Sequence, residues 1–564
     1  MEYSHERMQR SYLKIILVIF AGLTLFGAGC WAAFHFYEDW QERKLLARAG
    51  AYLDMGNNKD AALAARRILQ FRPESVAGTR IMADVAERSG DRIAVELRRR
   101  VLELQPDSTD NAIALAKTAL LFNDLPAAEA GLGRVPEAAR NSAAYLATKA
   151  RLALGKDPAA AEQHLLKAVA AAPGDPALRF QLAALQLKSA DPETQERARA
   201  TLQELRNDAG ERCAATRVLL GDAIARGEDS HRIRGIAHEL QSYPEAQFRD
   251  RILYLGILHQ MRDEGFAGYL TRLQDEAADK PPDLGQLFAW MNESRLSLVA
   301  LDFAKSLPKE TLETWPLPRA IAEAYVNLAD WPALELATRE ANWGSTDYLR
   351  RAFLTRALRQ LKKDGPAERE WTAAKKEASA RGASLLSLMR LASSWGWRAD
   401  AVELLWGLTK FDENKVEALH TLYQHYRQAQ DTAGLYRVLS RLIENAPGNV
   451  AVQNNLAQVS LLLNADMERS RRTAAEIYQR EPSNAAYAAT HAFALHTKGD
   501  TRGALAIMET LPPEKLREAS VAAYYGIFLA AAGNAAKAAE FLDLAKTADL
   551  LPEEKELVAK SGGS

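Results

Sequence analysis

Four histidines are the side chains best suited by type to hold a metal or move a proton: His420 with His425, and His491 with His496. Each pair is five residues apart, whereas two ligands on one helical face need a spacing of three or four. The spacing argues against a metal site. Cys30 and Cys213, the two cysteines of the chain, are too few for a thiolate zinc site or a disulfide framework. Adjacent carboxylates at Glu38-Asp39 and Glu553-Glu554 fall at element ends, where solvation accounts for them. There is no H-E-x-x-H, C-x-x-C, P-loop, G-x-S-x-G or dinucleotide glycine fingerprint. These residues describe a non-enzyme, with no catalytic residue, no cofactor and no metal.

The charge balance narrows the partners. Lys and Arg number 72 against 73 Asp and Glu, a formal net charge of −1. A nucleic-acid binder needs a basic face, and the strongest basic run, Arg98-Arg99-Arg100, reads as a solvated helix edge. A membrane is a different matter. From Ile15 to Phe34 the chain carries 20 residues without a formal charge, "IILVIFAGLTLFGAGCWAAF", matching the roughly 20 that cross a hydrocarbon core. Tyr12 precedes the run, and Trp31, Phe34, Phe36, Tyr37 and Trp40 form an aromatic belt at its exit. One transmembrane helix is expected over 15–36. Arg7, Arg10 and Lys14 before it outnumber Arg43 and Lys44 after it, which places the N-terminus inside and the rest of the chain outside. The alternative is a lipoprotein acylated at Cys30, since "GAGC" resembles the end of a lipobox; Gly27 stands where that motif wants leucine.

The elements behind these residues repeat. "GNNKDAALAARRILQFRP" (Gly56–Pro73) places Ala61, Ala65 and Ile68 on one helical stripe between a glycine turn and a proline stop. Upstream, Leu45, Ala49 and Tyr52 mark a first helix. Turn marks recur at Gly56, Gly90, Gly396, Gln430-Asp431, Ala465-Asp466, Gly499-Asp500 and Gly533-Asn534, with weaker ones at Asn123, Gly155, Gly227 and Ala329. The period is about 34 residues, so about fifteen helical hairpins fill residues 42–552. In the final repeats Gly526, Leu529, Gly533, Asn534 and Ala538 stand at the offsets of Ala492, Leu495, Gly499, Asp500 and Ala504. With this pattern the chain resembles the tetratricopeptide repeat (TPR) superfamily, and in layout bacterial membrane-anchored TPR proteins. The signature degenerates between about residues 175 and 385.

The resemblance implies an all-α fold: a right-handed α-solenoid of about fifteen TPR-like hairpins preceded by one transmembrane helix. The expected organisation is a cytoplasmic stub over 1–14, the transmembrane helix over 15–36, an N-terminal array over 42–280, a C-terminal array over 284–552, and a tail over 553–564. It also implies that the first helix of each hairpin lines a groove that receives protein partners. Groove positions counted back from the turn residues are Arg80, Asp84 and Glu87, then Arg390 and Ser393, then His420, Gln424 and Arg427, then Phe493 and His496. The C-terminal set suits an acidic peptide. Eight of ten tryptophans fall between Trp290 and Trp406; they either fill irregular joints or line an aromatic groove. The function expected is a membrane-anchored scaffold binding protein partners in a cell-envelope assembly, for example polysaccharide export or secretion, at the bacterial inner membrane. The alternatives are a chaperone-like holder of translocating chains and a carbohydrate-contacting module.

Overall fold

A helix that ends at a left-handed residue exposes carbonyls that the next two amides must satisfy. This chain solves that problem the same way along its length. The computed structural model describes residues 36–562, and within them left-handed residues recur at 33–35-residue intervals through two runs, Gly56, Gly90 and Asn123, then Gly227, Arg262, Arg295, Ala329, Lys362, Gly396, Gln430, Asn464, Gly499 and Gly533. In each case the amide of the residue after the left-handed one donates back across the turn: Asp91 to the Ala86 carbonyl at 2.8 Å, Asp431 to Tyr426 at 2.9 Å, Asn534 to Leu529 at 2.9 Å. Where that residue is aspartate or asparagine, its side chain can also cap the following helix. Asp431 accepts from the Gly434 amide at 2.8 Å and Asp500 from the Gly503 amide at 2.8 Å. Such a residue thus closes the first helix of a hairpin with its amide and opens the second with its side chain.

Proline ends the hairpins. Arg72, Gln105, Ala172, Ala446 and Glu481 each precede a proline and each leave the helix at φ between −135° and −141° and ψ between 70° and 78°, the extended region that a following proline imposes. The result is fifteen helical hairpins, from the pair 36–54 and Asn58–Phe71 to the pair Ala519–Ala531 and Ala535–Leu544, followed by a last helix Pro552–Gly562. Among the described residues there is no strand. The anchor expected at 15–36, apart from Phe36, and Cys30 lie outside the described residues. Among the described residues no helix is long and apolar enough to cross a membrane.

The chain divides into two units, Met1–Thr271 and Arg272–Ser564, with the boundary inside the helix Phe266–Ala277. In the first unit the alanine stripe does the packing: Ala61, Ala65 and Ile68 are fully buried. Where the repeat signature fades, arginine–carboxylate pairs one repeat apart hold neighbouring hairpins. Arg212 pairs with Glu245, and Arg217 makes two bonds of 2.8 Å to the buried Asp250. In the second unit a continuous core runs from Tyr348 to Leu551. Leu557 and Val558, in the segment expected to be a tail over 553–564, pack against it. The helix Pro552–Gly562 is packed, and Glu554, read from sequence as a solvated carboxylate, is buried at 5% exposure.

Candidate functional site

The first helices of the hairpins carry the residues singled out from sequence, and their surroundings differ. In the first unit Arg80 is exposed and donates to Asn111 Oδ1 at 3.2 Å. Asp84 and Glu87 are taken up by Arg98, a 9%-exposed arginine on the second helix of the same hairpin, at 2.5 and 2.7 Å. Burial disfavours the Glu87 carboxylate, yet its bonds to Arg98 and Thr118 outweigh that and hold it below its ordinary value. Both acids are structural. In the second unit Arg390, Ser393, His420 and Gln424 are exposed, while Arg427 is half-buried.

Phe493 is a correction. It is 3% exposed, packs against the Tyr524 ring at 5.2 Å and cannot present itself to a partner. The register predicted a groove position, but the superposed apolar run on helix Ala485–His496 pulls that side chain into the core. His496 is half-buried, with Nδ1 at 2.9 Å from the Thr501 hydroxyl and its ring 5.1 Å from Phe528. Burial lowers the pKa of both His491 and His496.

What the first-helix face of the last four hairpins holds is the chain itself. The segment Asp549–Glu554 crosses it. Arg427 donates to the Asp549 carbonyl at 2.8 Å and lies 3.3 Å from its carboxylate, and Gln430 Nε2 donates to that carboxylate at 3.0 Å. Thr432 donates to Glu553. Leu550 and Leu551 enter the core. The Glu554 carboxylate accepts from Gln458 Nε2 at 2.8 Å, from the Tyr524 hydroxyl, and from the Leu551 amide at 2.8 Å. Burial first, and then the Glu554 charge, push the Tyr524 phenol well above its ordinary value. Of the C-terminal groove set Arg427 contacts Asp549 of the chain itself, and Gln458, Tyr524 and Thr432, which hold the same segment, were not legible. Their partners lie 96, 30 and 121 residues away along the chain.

The tryptophan-rich stretch divides in the same way. Trp371 is fully buried, and Trp395 and Trp397 meet edge-on at 4.9 Å, as do Trp371 and Trp397 at 5.2 Å. Trp406 donates to the Tyr426 hydroxyl at 2.8 Å under the Arg437 guanidinium. Trp315 alone of the eight is exposed. The rings build joints, and next to them the first helices of four hairpins between Ala289 and Trp395 enclose an open cavity of about 710 Å³ that includes Arg390. Among the described residues no three His, Cys, Asp or Glu side chains converge on a metal-sized site. Cys213 is half-buried, and burial pushes its thiol pKa up.

No protein-family model and no curated protein matches the chain. Among solved structures, one similar to it is the APC/C hetero-tetramer Cut9-Hcn1, at 13% identity and a TM-score of 0.27 over 80% of this chain and 96% of that one. PilF of Pseudomonas aeruginosa is similar at 14% identity and a TM-score of 0.26, over 43% of this chain and 95% of that one. A tetratricopeptide repeat protein from Parabacteroides merdae is similar at 17% identity and a TM-score of 0.24, over 48% and 99%.

Proposed function

We propose that this array of tetratricopeptide-like hairpins is a protein-binding scaffold, tethered to the bacterial inner membrane through residues 15–36 and serving a cell-envelope assembly such as polysaccharide export or secretion. One observation carries the binding reading: the first-helix face of the last hairpins accommodates an acidic segment, Asp549–Glu554, a short non-helical link running into the first turn of the last helix, through Arg427, Gln430 and Gln458. A surface that orders one such segment has the donors and the shape to order another. The tether is supported by the charge-free run of the sequence and by Phe36 and Trp40, which stand 74% and 51% exposed at the start of the described chain. The carbohydrate alternative has less support, because Trp315 alone of the eight is exposed and Trp395 and Trp397 carry guanidinium groups and contact each other.

Site-directed photo-cross-linking in intact membranes tests the binding reading. A photoreactive residue at His420 or Gln424 is expected to give polypeptide adducts, and one at Arg441, on a second helix, is not. Equal adducts from all three positions would sink it. For the tether, protease added to cells with only the outer envelope opened is expected to digest the hairpins. Digestion that requires breaching the inner membrane would reverse the orientation.

A further inference from the structure

The helix Asp347–Gln360 carries four arginines, and three of them have carboxylate partners: Arg350 pairs with Asp347, Arg351 with Glu370 and Glu377, and Arg359 with Asp400. Arg356 has none. Its Nε is buried without a hydrogen-bond partner, and burial alone, with no nearby acid opposing it, pulls its pKa down.

Arg359, one turn along, shows what is missing. Its guanidinium lies 4.1 Å from the Trp397 ring and 5.6 Å from the Trp371 ring, which meet each other edge-on at 5.2 Å. Asp400 completes that cluster, accepting from Arg359 Nη1 at 2.9 Å and from the Trp371 indole N–H at 2.6 Å. Arg356 likewise lies 4.8 Å from the Trp395 ring and 5.6 Å from the Trp331 ring. The two clusters differ in the counterion. Where the chain supplies Asp400 to one, the other opens into the cavity of about 710 Å³ on the first-helix face.

The charges around that cavity do not make up the deficit. Arg319 is paired with Glu323 at 2.9 Å, Glu293 is exposed on the helix Pro281–Glu293, and Arg390 adds a second cation without an ion-pair partner. A guanidinium whose Nε is buried, packed against two rings and lining an open cavity, is preorganised for a planar anion that accepts two parallel bonds. Fixing the cation in advance removes the side-chain entropy that an ordinary surface arginine loses on pairing.

We propose that Arg356, supported by Arg390, is a carboxylate-reading site that takes an aspartate or glutamate side chain of a polypeptide bound along the first helices, as Arg359 takes Asp400. The proposal rests on the protein-binding reading and names the chemistry read there.

The test uses the full chain in detergent and a fluorescein-labelled hexaglutamate peptide, with hexaglutamine as the neutral control. Anisotropy is expected to give saturable hexaglutamate binding that weakens with added salt, with quenching or enhancement of tryptophan emission and no response to hexaglutamine. Arg356→Gln is expected to weaken binding at least tenfold. Should that variant lose its native melting profile, the exposed Arg390→Gln decides, with an expected loss of at least threefold. Arg437→Gln, at the other basic cleft, is expected to bind as wild type. Binding unaffected by both Arg356→Gln and Arg390→Gln, or lost in Arg437→Gln alone, overturns the proposal. So does absence of hexaglutamate binding, whereas cross-links from His420 would still leave the scaffold reading standing.

Discussion

Replacing Glu554 with alanine should undock the C-terminal helix without unfolding the hairpins beneath it. Three donors converge on this buried carboxylate: Gln458 Nε2 and the Leu551 amide at 2.8 Å each, and the Tyr524 hydroxyl. Tyr524 is itself 4% exposed, so losing its acceptor leaves a hydroxyl in the core with nothing to donate to. Bonds to a charged group contribute about 1.5–3 kcal/mol, and a stranded buried donor costs about 1–3 kcal/mol. Since these overlap, about 3 kcal/mol is the expected loss, or roughly a hundredfold in the docking equilibrium at 1.4 kcal/mol per decade. Hydrogen exchange read by mass spectrometry should therefore show amides of Glu553–Gly562 exchanging about a hundredfold faster. Helix Ala485–His496 should keep its wild-type rate. Arg427→Gln removes partly exposed contacts to Asp549 and should cost about 1 kcal/mol or less, under tenfold in the same peptides. A change below threefold in the alanine variant would refute the account of Glu554 as the latch. Acceleration spread evenly over all hairpins would refute it too, because the residue would then support the whole core.

Three further outcomes follow from single positions. A Cβ at Gly434 would land within the Tyr426 ring, whose hydroxyl accepts from Trp406 at 2.8 Å; Gly434→Ala should destabilise the second unit by about 1–3 kcal/mol, read as a lower urea midpoint. Ala329 sits in a left-handed turn at φ 54°, which costs a non-glycine residue roughly 1–2 kcal/mol, so Ala329→Gly should raise the melting temperature; a decrease would count against the turn argument. Burial holds His491 and His496 below the ordinary histidine value, so the unfolded chain takes up protons first as pH falls. Stability from this source is complete above about pH 6.5 and is lost as pH falls through the folded values. Urea midpoints between pH 8 and 5 should drop in the wild type and drop less in His491→Gln; equal slopes would exclude these groups.

The period was legible where glycine or asparagine fills the left-handed slot, as at Gly56, Asn123 and Gly533, and hidden where Arg262, Arg295 or Lys362 fills it. Those positions tolerate a side chain because the capping amide and the packed hairpin over-determine the turn, and no residue-type rule announces that. Gly155, read as a turn mark, is not left-handed; the following helix takes its cap from Asp157. Arg427 was visible because its position and charge suit an acidic partner. Glu554 was not, since its burial depends on Gln458 and Tyr524, 96 and 30 residues distant. Arg356 was likewise invisible: its significance lies in a missing partner beside Trp331 and Trp395, and spacing records what is present.

The uneven placement of tryptophan makes the two halves of the chain optically distinct without any label. All eight indoles beyond Trp40 lie within Arg272–Ser564, and the preceding unit contributes Trp31 and the half-exposed Trp40 alone. Blue-shifted indole emission therefore reports the second unit, whereas helical ellipticity reports both. In a linear array each hairpin is coupled to its neighbours and not to the whole. If the two signals are followed together through a denaturant titration, their separation along the denaturant axis measures directly how far cooperativity travels down the chain.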